Sequence, residues 1–298
     1  MPVDERKREL QQGERSQCSE AVNSGEKSLD SENVLLVERE GDIAWFKLNR
    51  GKVMNCLNRP LLNALINACH EVAKDRSVRV VAIIGAGKKA FCAGADLAER
   101  KGMTQAETLD YLALIQKTMR TIETLPQPVI AAINGSAYGG GTELALSCDL
   151  RVMVEEAQLR LTEVKLGIIP GAGGTQRLPR LIGKSKAKEM ILTGSPINAF
   201  EGQQFGLIHK VVTEKGPEDA EFNPALMETV REWVKEIATG APLSLAAAKE
   251  AIDNGYDRDL EAGLALETKS YLTLLNTKDR LEGLAAFAEK RKPVYVGE

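Results

Sequence analysis

The sequence is poor in the residues on which several classes of function depend. Aromatic residues make up only 4% of its 298 residues, so surfaces that stack nucleic-acid bases are poorly supplied. No apolar run approaches the roughly 18 residues that cross a membrane. The formal net charge is only −3, which argues against a broad basic footprint for nucleic acid. These absences predict a soluble intracellular protein with no membrane insertion.

Cysteine and histidine are also scarce. The five cysteines are Cys18, Cys56, Cys69, Cys92 and Cys148. Their odd number, their wide spacing and the lack of a CxxC pair exclude a disulfide scaffold and the usual zinc modules, so no metal site is predicted and a reducing compartment is favoured. The two histidines, His70 and His209, lie in a helical and a strand-like stretch. If the protein is an enzyme, we therefore expect carboxylates or backbone groups to carry the chemistry.

The chain divides into three regions by composition. Residues 1–33 hold eight acidic and five basic residues with few apolar ones, which is typical of a disordered tail. This segment is too acidic for a typical mitochondrial transit peptide and has no secretory apolar region. Residues 34–224 alternate strand and helix patterns. Residues 225–298 are almost entirely helix-forming, and they predict a C-terminal helical subdomain suited to oligomerisation.

The alternation in residues 34–224 predicts an α/β fold with right-handed crossovers. Strand patterns lie at Val34–Glu40, Ile43–Asn49, Val78–Gly85, Val129–Gly135, Leu150–Val154 and Gly206–Val212. Helix patterns lie at Pro60–Lys74, at 104–124, from Thr142 onward, after the glycine-rich loop 167–174, and at 198–201, where Asn198 and Glu201 match a capping box. The Gly41-Asp42 pair predicts a hairpin between the first two strands.

Glycines after a buried strand mark the first candidate site. Gly139, Gly140 and Gly141 precede a helical sequence, and free N–H groups there suit an anion or a developing oxyanion. A lone triple glycine is more often only a tight turn. The chain has neither a Walker sequence nor a GxGxxG motif, so phosphate cradling and dinucleotide binding are disfavoured.

Two glutamates strengthen that candidate. Glu143 follows the triple glycine, and Glu163 follows twenty residues later, before an apolar loop rich in glycine and proline. A glutamate in a first helical turn is usually a dipole partner, and Glu163 alone would be read as a surface residue. Together in one partly apolar pocket, the two carboxylates could hold a water and divide acid and base roles.

Four ordered motifs resemble those of the crotonase (enoyl-CoA hydratase/isomerase) superfamily. They are FCAGADL at 91–97, AAINGSAYGGGTELALSCDLRV at 131–152, GIIPGAGGTQRLPRLIG at 167–183, and the tail DRLEGLAAFAEKRKP at 279–293. The resemblance covers about Val34 to Glu298 and looks nearest to the methylglutaconyl-CoA hydratase branch. It implies a spiral of ββα units with a C-terminal helical subdomain.

The resemblance implies roles for individual residues. The backbone N–H groups of Ala95 and Gly140 match the family's oxyanion hole, which holds the thioester oxygen. Glu143 and Glu163 match the two glutamates of the family's hydratases: Glu163 would deliver a proton at Cα, while Glu143 would orient and activate water. The Gly171 N–H would contact the same water. Family isomerases commonly lack one of the two glutamates, so both together favour hydration.

Further positions match the family's CoA-thioester contacts. They are Lys52, Met54, Ala93, Gly94, Asp96, Leu97 and Ala98 near the acyl-CoA, and Phe287 and Lys290, which would reach the CoA of a neighbouring subunit. Phe287 could instead be a packing residue, and Lys290 a solvated lysine. Two positions depart from the family pattern, since Thr162 stands where proline is common and Tyr138 would narrow the acyl pocket.

The resemblance thus implies an enoyl-CoA hydratase, with 3-methylglutaconyl-CoA of leucine degradation as the sharper substrate hypothesis. It implies no cofactor beyond the CoA of the substrate, a homotrimer or dimer of trimers, and a mitochondrial matrix location, or a cytoplasmic one if no import signal precedes the chain. Isomerisation or decarboxylation at the same oxyanion hole is the alternative. An RNA-binding relative has a lysine-rich helix, but the matching helix here has only Arg59 and Lys74 as bases, so RNA binding is not expected.

Overall fold

The computed structural model describes residues 33–298. The tail predicted for residues 1–33 therefore lies outside the described residues, apart from Asn33. None of the described helices combines the length and the apolar character needed to cross a bilayer.

A six-stranded sheet forms the centre of the molecule, in the order β1-β2-β3-β5-β7-β10. Its strands are β1 (Leu35–Glu40), β2 (Ile43–Leu48), β3 (Val80–Gly85), β5 (Val129–Ile133), β7 (Leu150–Val154) and β10 (Lys210–Val212). Strands β1 and β2 form the predicted antiparallel hairpin, and the other neighbours are parallel. Every residue of β3 and β5 is buried, as expected for parallel strands covered on both faces.

A second sheet of four short strands was not predicted. It runs in the order β4-β6-β8-β9, with β4 (Ala90–Cys92), β6 (Ser136–Tyr138), β8 (Gln158–Arg160) and β9 (Ile197–Asn198). Strands of two or three residues are too short to show a hydrophobic period, so the sequence pattern missed them. The two sheets alternate along the chain: β3 leads to β4, β5 to β6 and β7 to β8, with helices after each pair. This repetition is the ββα spiral that the resemblance implied.

Eleven helices connect and cover the two sheets within the described residues. They are α1 (Arg59–Val72), α2 (Leu97–Arg100), α3 (Gln105–Glu123), α4 (Gly140–Leu146), α5 (Gly174–Ile182), α6 (Lys184–Thr193), α7 (Ala199–Gln204), α8 (Pro224–Ile237), α9 (Pro242–Gly255), α10 (Leu260–Leu272) and α11 (Lys278–Glu289). Local sequence explains several starts, because the Asn58 side chain caps α1 and Thr104 forms a full capping box with Glu107.

Two predicted helix starts need correction. Helix α4 begins at Gly140 rather than at Thr142, because Gly139, at φ 51°, turns the chain directly from β6 into the helix. At α7, Asn198 accepts the N–H of Glu201, but the Glu201 carboxylate pairs with Lys186 instead of closing the predicted capping box. Both differences depend on tertiary contacts that the local pattern does not contain.

Candidate active site

The candidate site lies where three parallel strands of the second sheet end. Ala93 follows β4, Gly139 follows β6, and Glu163 lies three residues beyond β8. Ligands in open parallel sheets bind beyond such carboxyl ends. The sequence predicts a site at the carboxyl ends of the long central strands. In the structure a short strand follows each of β3, β5 and β7, and the site lies at the carboxyl ends of these short strands instead.

A cavity of about 740 Å³ occupies this position. Eight of the residues expected to contact substrate or water line it: Ala93, Gly94, Ala95, Leu97, Gly140, Glu143, Glu163 and Gly171. A larger cavity, of about 970 Å³, lies elsewhere, and none of the four predicted catalytic residues lines it. The four predicted catalytic residues therefore lie together in the smaller cavity.

The backbone amides of Ala95 and Gly140 lie close together in the lining of this cavity. A Cβ placed on Gly140 would lie 3.4 Å from the Ala95 nitrogen. Ala95 and Leu57 form an isolated parallel β-bridge. In this bridge the Leu57 N–H donates to the Gly94 carbonyl, and the Asp96 N–H donates to the Leu57 carbonyl. The Ala95 N–H therefore points away from Leu57. Within residues 33–298, neither the Ala95 nor the Gly140 N–H donates to a protein acceptor.

Two glycines make this close approach possible. Gly94 has φ 93°, and a Cβ there would lie 2.6 Å from the Tyr138 carbonyl oxygen. A Cβ on Gly141 would lie only 1.9 Å from the Cys92 carbonyl oxygen, so α4 can touch β4 only with glycine at this position. The two N–H groups are thus held by rigid backbone rather than by mobile side chains.

Glu143 is fixed at the inner end of the cavity. The side chain is 2% exposed, and its Oε1 accepts the N–H groups of Ala172 and Gly174 at 2.8 and 2.7 Å. Burial raises the pKa of Glu143 to about 7; the Gly174 hydrogen bond opposes this rise, and the negative charge of Glu163 adds to it. Glu143 therefore exchanges a proton near neutral pH.

The loop that holds Glu143 is itself held by an ion pair. Arg177 donates to both carboxylate oxygens of Glu123 at 2.8 and 2.9 Å, and its Nη1 donates to the Ala172 carbonyl at 2.9 Å. Ala172 thus contacts Arg177 through its carbonyl and Glu143 through its N–H. This bidentate pair was not predicted, since nothing in the sequence connects Glu123 with Arg177.

Glu163 has a different environment from Glu143. It begins a short 3₁₀ turn, Glu163–Leu166, and its Oε2 is buried without a hydrogen-bond partner among residues 33–298. Burial raises the pKa of Glu163, against the hydrogen bond from its own backbone N–H. An unpartnered buried oxygen favours the protonated carboxyl, and this oxygen is accordingly a suitable proton donor.

The cavity wall opposite the glycines comes from α3. Its residues Thr108, Tyr111, Leu112 and Ile115 line the cavity, and their spacing of three and four residues places them on one face of the helix. This period was available in the sequence and could have identified them. Tyr138 and Thr162 also line the cavity, so both departures from the family pattern lie at the site.

Several predicted CoA contacts lie outside this cavity. Lys52 and Met54 belong to a turn beside it, where the Met54 carbonyl accepts the Ala93 N–H at 2.9 Å. The Asp96 carboxylate pairs with Arg50 at 2.9 Å and accepts the Ala98 N–H at 3.0 Å. The Asp96 side chain therefore holds the start of α2.

The two C-terminal positions also lie outside the cavity. Phe287 is 86% exposed near the end of α11, and Lys290 ends that helix with φ 57°. Neither lines the cavity of its own chain, so their predicted contact with a neighbouring subunit stays a prediction.

The histidines lie away from the cavity. Burial lowers the pKa of His209 to about 4, with a further contribution from Arg151, and its Nδ1 accepts the Arg151 backbone N–H at 3.2 Å. No group of three or more His, Cys, Asp or Glu residues in the described part of the chain is arranged to hold a metal ion. Glu143 and Glu163 are the two carboxylates that line the cavity in the described part of the chain.

Comparison with known proteins agrees with this geometry. The family model described as enoyl-CoA hydratase/isomerase matches residues 38–298. A crystal structure of an enoyl-CoA hydratase from Bacillus anthracis superposes with a TM-score of 0.84 at 48% identity, over 89% of this chain and 100% of that one.

Two relatives of known sequence extend the comparison. The Bacillus subtilis protein YngF is 46% identical over 89% of this chain and 99% of its own length. The mitochondrial methylglutaconyl-CoA hydratase of Mus musculus is 43% identical over 88% of this chain and 82% of its own. Similarity of this extent covers both sheets and the C-terminal helices.

Proposed function

The chain belongs to the enoyl-CoA hydratase/isomerase family, and on that basis we propose that it adds water to the double bond of 2-enoyl-CoA thioesters. The observation that carries the proposal is one cavity that combines the buried carboxylate of Glu143 and the half-buried one of Glu163 with the backbone amides of Ala95 and Gly140, which donate to no acceptor among the described residues.

In this proposal the two amides bind the thioester oxygen. Negative charge develops on that oxygen as water attacks the β-carbon, and two preorganised N–H groups stabilise the enolate-like state. Because the donors are backbone groups held by the close packing of β4 against α4, they need no rearrangement during the reaction. Removing one such donor typically costs about 10²–10³ in rate.

The two glutamates divide the proton transfers. Glu143, fixed by two amide hydrogen bonds, orients a water, takes one of its protons and so directs the oxygen to Cβ. Glu163 gives its proton to Cα from the unpartnered Oε2 side, so one C–O and one C–H bond form on the same face of the double bond. The proton taken up by Glu143 then returns to Glu163 through solvent, which restores the starting state.

Isomerisation and decarboxylation at the same oxyanion hole are the alternative reactions. Each needs only one proton-transferring group at the substrate carbon skeleton, and would leave the other glutamate dispensable. Two carboxylates in the cavity, one tightly held and one with a free oxygen, favour hydration. This reaction involves no redox step, so we propose no cofactor apart from the CoA of the substrate.

We also propose 3-methylglutaconyl-CoA as a substrate within this class. The support is the 43% identity to a protein named methylglutaconyl-CoA hydratase, together with the open, partly apolar cavity beyond Glu143 and Glu163. That relative carries a mitochondrial name, which supports a mitochondrial location for this chain.

The test is hydration of crotonyl-CoA and 3-methylglutaconyl-CoA, followed at the enoyl-thioester absorbance. We expect wild type to hydrate at least one compound, and Glu143→Gln and Glu163→Gln each to lose about 10²–10⁴ in kcat, the usual contribution of a positioned acid or base. Glu99→Gln is the matched control, because Glu99 is also partly buried with a raised pKa but does not line the cavity.

Two results would overturn the proposal. One is a wild-type enzyme that hydrates neither compound. The other is a full hydration rate in Glu143→Gln or Glu163→Gln. That result would favour isomerisation or decarboxylation as the reaction that the oxyanion hole serves.

A further inference from the structure

The glycine-rich loop that holds Glu143 lies between the two cavities. Its residues Ala172 and Gly173 line both the candidate cavity and the larger cavity. A segment with open space on two sides is not fixed by packing alone, because few atoms lie beside it to contact. The position of its backbone therefore depends on the hydrogen bonds that the loop makes.

Gln116, on α3, supplies one of these hydrogen bonds. Its Nε2 donates to the Gly171 carbonyl at 2.7 Å, and its side chain lines both cavities. Leu112, one helical turn before Gln116, reaches the same glycine, since a Cβ placed on Gly171 would lie 2.8 Å from the Leu112 Cδ1. Helix α3 is thus in close contact with the loop at Gly171 and offers a polar donor there.

The Gly171 carbonyl belongs to the peptide group that holds Glu143. A peptide group is a rigid plane that contains the carbonyl of one residue and the N–H of the next. The Gly171 carbonyl and the Ala172 N–H are therefore the two polar ends of one plane, and the Ala172 N–H donates to Glu143 Oε1 at 2.8 Å. Gln116 and Glu143 are joined through this single peptide group, with one hydrogen bond at each end.

The second amide that holds Glu143 is fixed in another way. The Gly174 N–H shares its peptide group with the Gly173 carbonyl, and that carbonyl accepts two backbone N–H groups from the first turn of α5, at 3.0 and 2.8 Å. The backbone of a helix thus orients one of the two donors to Glu143. The other donor depends on a side chain, that of Gln116.

We propose that Gln116 is a positioning residue for the base of the reaction: its hydrogen bond to the Gly171 carbonyl orients the peptide group that holds Glu143 and strengthens the Ala172 N–H as a donor. Hydrogen bonds in a chain polarise one another, so a donor at the carbonyl end of a peptide group makes its N–H end a better donor to a carboxylate. This inference rests on the proposed hydratase function.

The test is Gln116→Met, which keeps the length of the side chain and removes the donor. We expect kcat for the better of the two proposed substrates to fall about 3- to 10-fold, the factor that one hydrogen bond of ordinary strength represents, with little change in KM. Gln176→Met is the matched control. Gln176 also lines both cavities, but its Nε2 donates to Thr175 Oγ1 at 3.2 Å, so this variant should keep the wild-type kcat.

The pKa of Glu143 is a second readout, and it does not depend on activity. A weaker amide donor stabilises the carboxylate less, so the midpoint of Glu143 should rise above about 7 in Gln116→Met, and the acid limb of kcat/KM should move to higher pH with it. The other charged groups around Glu143 are Glu163 and Arg100 in the cavity lining and Arg177 on α5. The substitution removes none of them. Carboxyl ¹³C NMR measures the midpoint.

An unchanged Glu143 midpoint in Gln116→Met would overturn the proposal, and a fall in thermal stability alone would leave Gln116 a structural role only. An equal fall of kcat in Gln176→Met would also overturn it, because any change in the wall between the cavities would then have the same effect. If wild type hydrates no tested thioester while the midpoint still rises in Gln116→Met, the link from Gln116 to Glu143 stands and the hydratase function is overturned.

Discussion

Glu143 and Glu163 share a cavity but differ in their hydrogen bonds, and we expect that difference to set their roles in the proposed hydration. Two amide donors favour the charged form of Glu143, while the lone Oε2 of Glu163 favours the protonated form. Burial raises the pKa of both carboxyls, and the negative charge of Glu163 adds to the rise at Glu143. The proposed hydration needs one carboxylate as base and one carboxyl as acid.

The mutual repulsion of the two carboxylates is measurable. In Glu163→Gln the neighbouring negative charge is gone, so the pKa of Glu143 should fall from about 7. It should stay above 4.5, its ordinary value, because burial is the larger cause of the rise. Carboxyl ¹³C NMR of the glutamate-labelled protein measures the midpoint, with the Glu143→Gln spectrum as the assignment.

The same titration has a kinetic counterpart. If Glu143 is the base, the acid limb of kcat/KM in wild type should lie near its raised pKa. A Glu143 midpoint that does not change in Glu163→Gln would show that the charge of Glu163 does not contribute to the raised pKa of Glu143.

The sequence identifies some residues of the candidate site but not others. Glu143, Glu163, Ala95 and Gly140 could be placed in one site because they occur in motifs of fixed spacing, and the structure brings them to one cavity. Arg177 could not, because its contacts beside the cavity arise only in the folded chain.

At the scale of helices and strands, too, the sequence predicts only part of the structure. The long buried strands and the amphipathic α1 and α3 were predicted within a few residues, since each carries its own period. Strands β4, β6 and β8 were not, although they position the site, because three residues carry no period and form a sheet only by pairing with distant segments. The short strands that position the candidate site are therefore the part of the fold that the sequence predicts least well.

We expect the glycine-rich loop before α5 to affect the proposed catalysis through one residue, Ala172. Arg177 holds the Ala172 carbonyl and the Ala172 N–H holds Glu143, so Arg177 is a positioning residue. We expect Arg177→Met to lower kcat by roughly 10- to 100-fold with little change in KM, because a small displacement of the base affects chemistry more than binding. The acid limb of the pH profile should also move to higher pH, since the Arg177 charge lowers the pKa of Glu143.

The matched control is Arg180→Met, on the same helix. Arg180 pairs with the exposed Asp257 at 3.0 Å and has no link to Glu143, so its kcat and pH profile should equal those of wild type. A uniform loss of stability in Arg177→Met without a shift of the acid limb would show that the residue is structural only.

At the scale of the whole molecule, the last three helices, α9, α10 and α11, leave much of their apolar surface exposed. Large exposed side chains on them or at their ends include Leu243, Ile252, Tyr256, Leu260, Leu264, Tyr271, Leu272, Leu281, Leu284 and Phe287. Exposed apolar area on this scale marks an interaction surface, and closed symmetric oligomers are the common way in which such surfaces are covered. We therefore expect the homotrimer, or dimer of trimers, that the family resemblance implies.

Sedimentation velocity tests this expectation on the full chain. Wild type should sediment with the mass of three or six chains, and Phe287→Glu should shift the population toward smaller species, because a charge placed in an apolar contact is costly to desolvate. Leu109→Glu is the control, since Leu109 is also exposed, at 57%, but lies on α3. If Phe287 also reaches a neighbour's CoA, its replacement should raise KM at concentrations where the oligomer dissociates. A wild type that sediments as a single chain at micromolar concentration would contradict both expectations, and the cavity of one chain would then have to bind the whole thioester by itself.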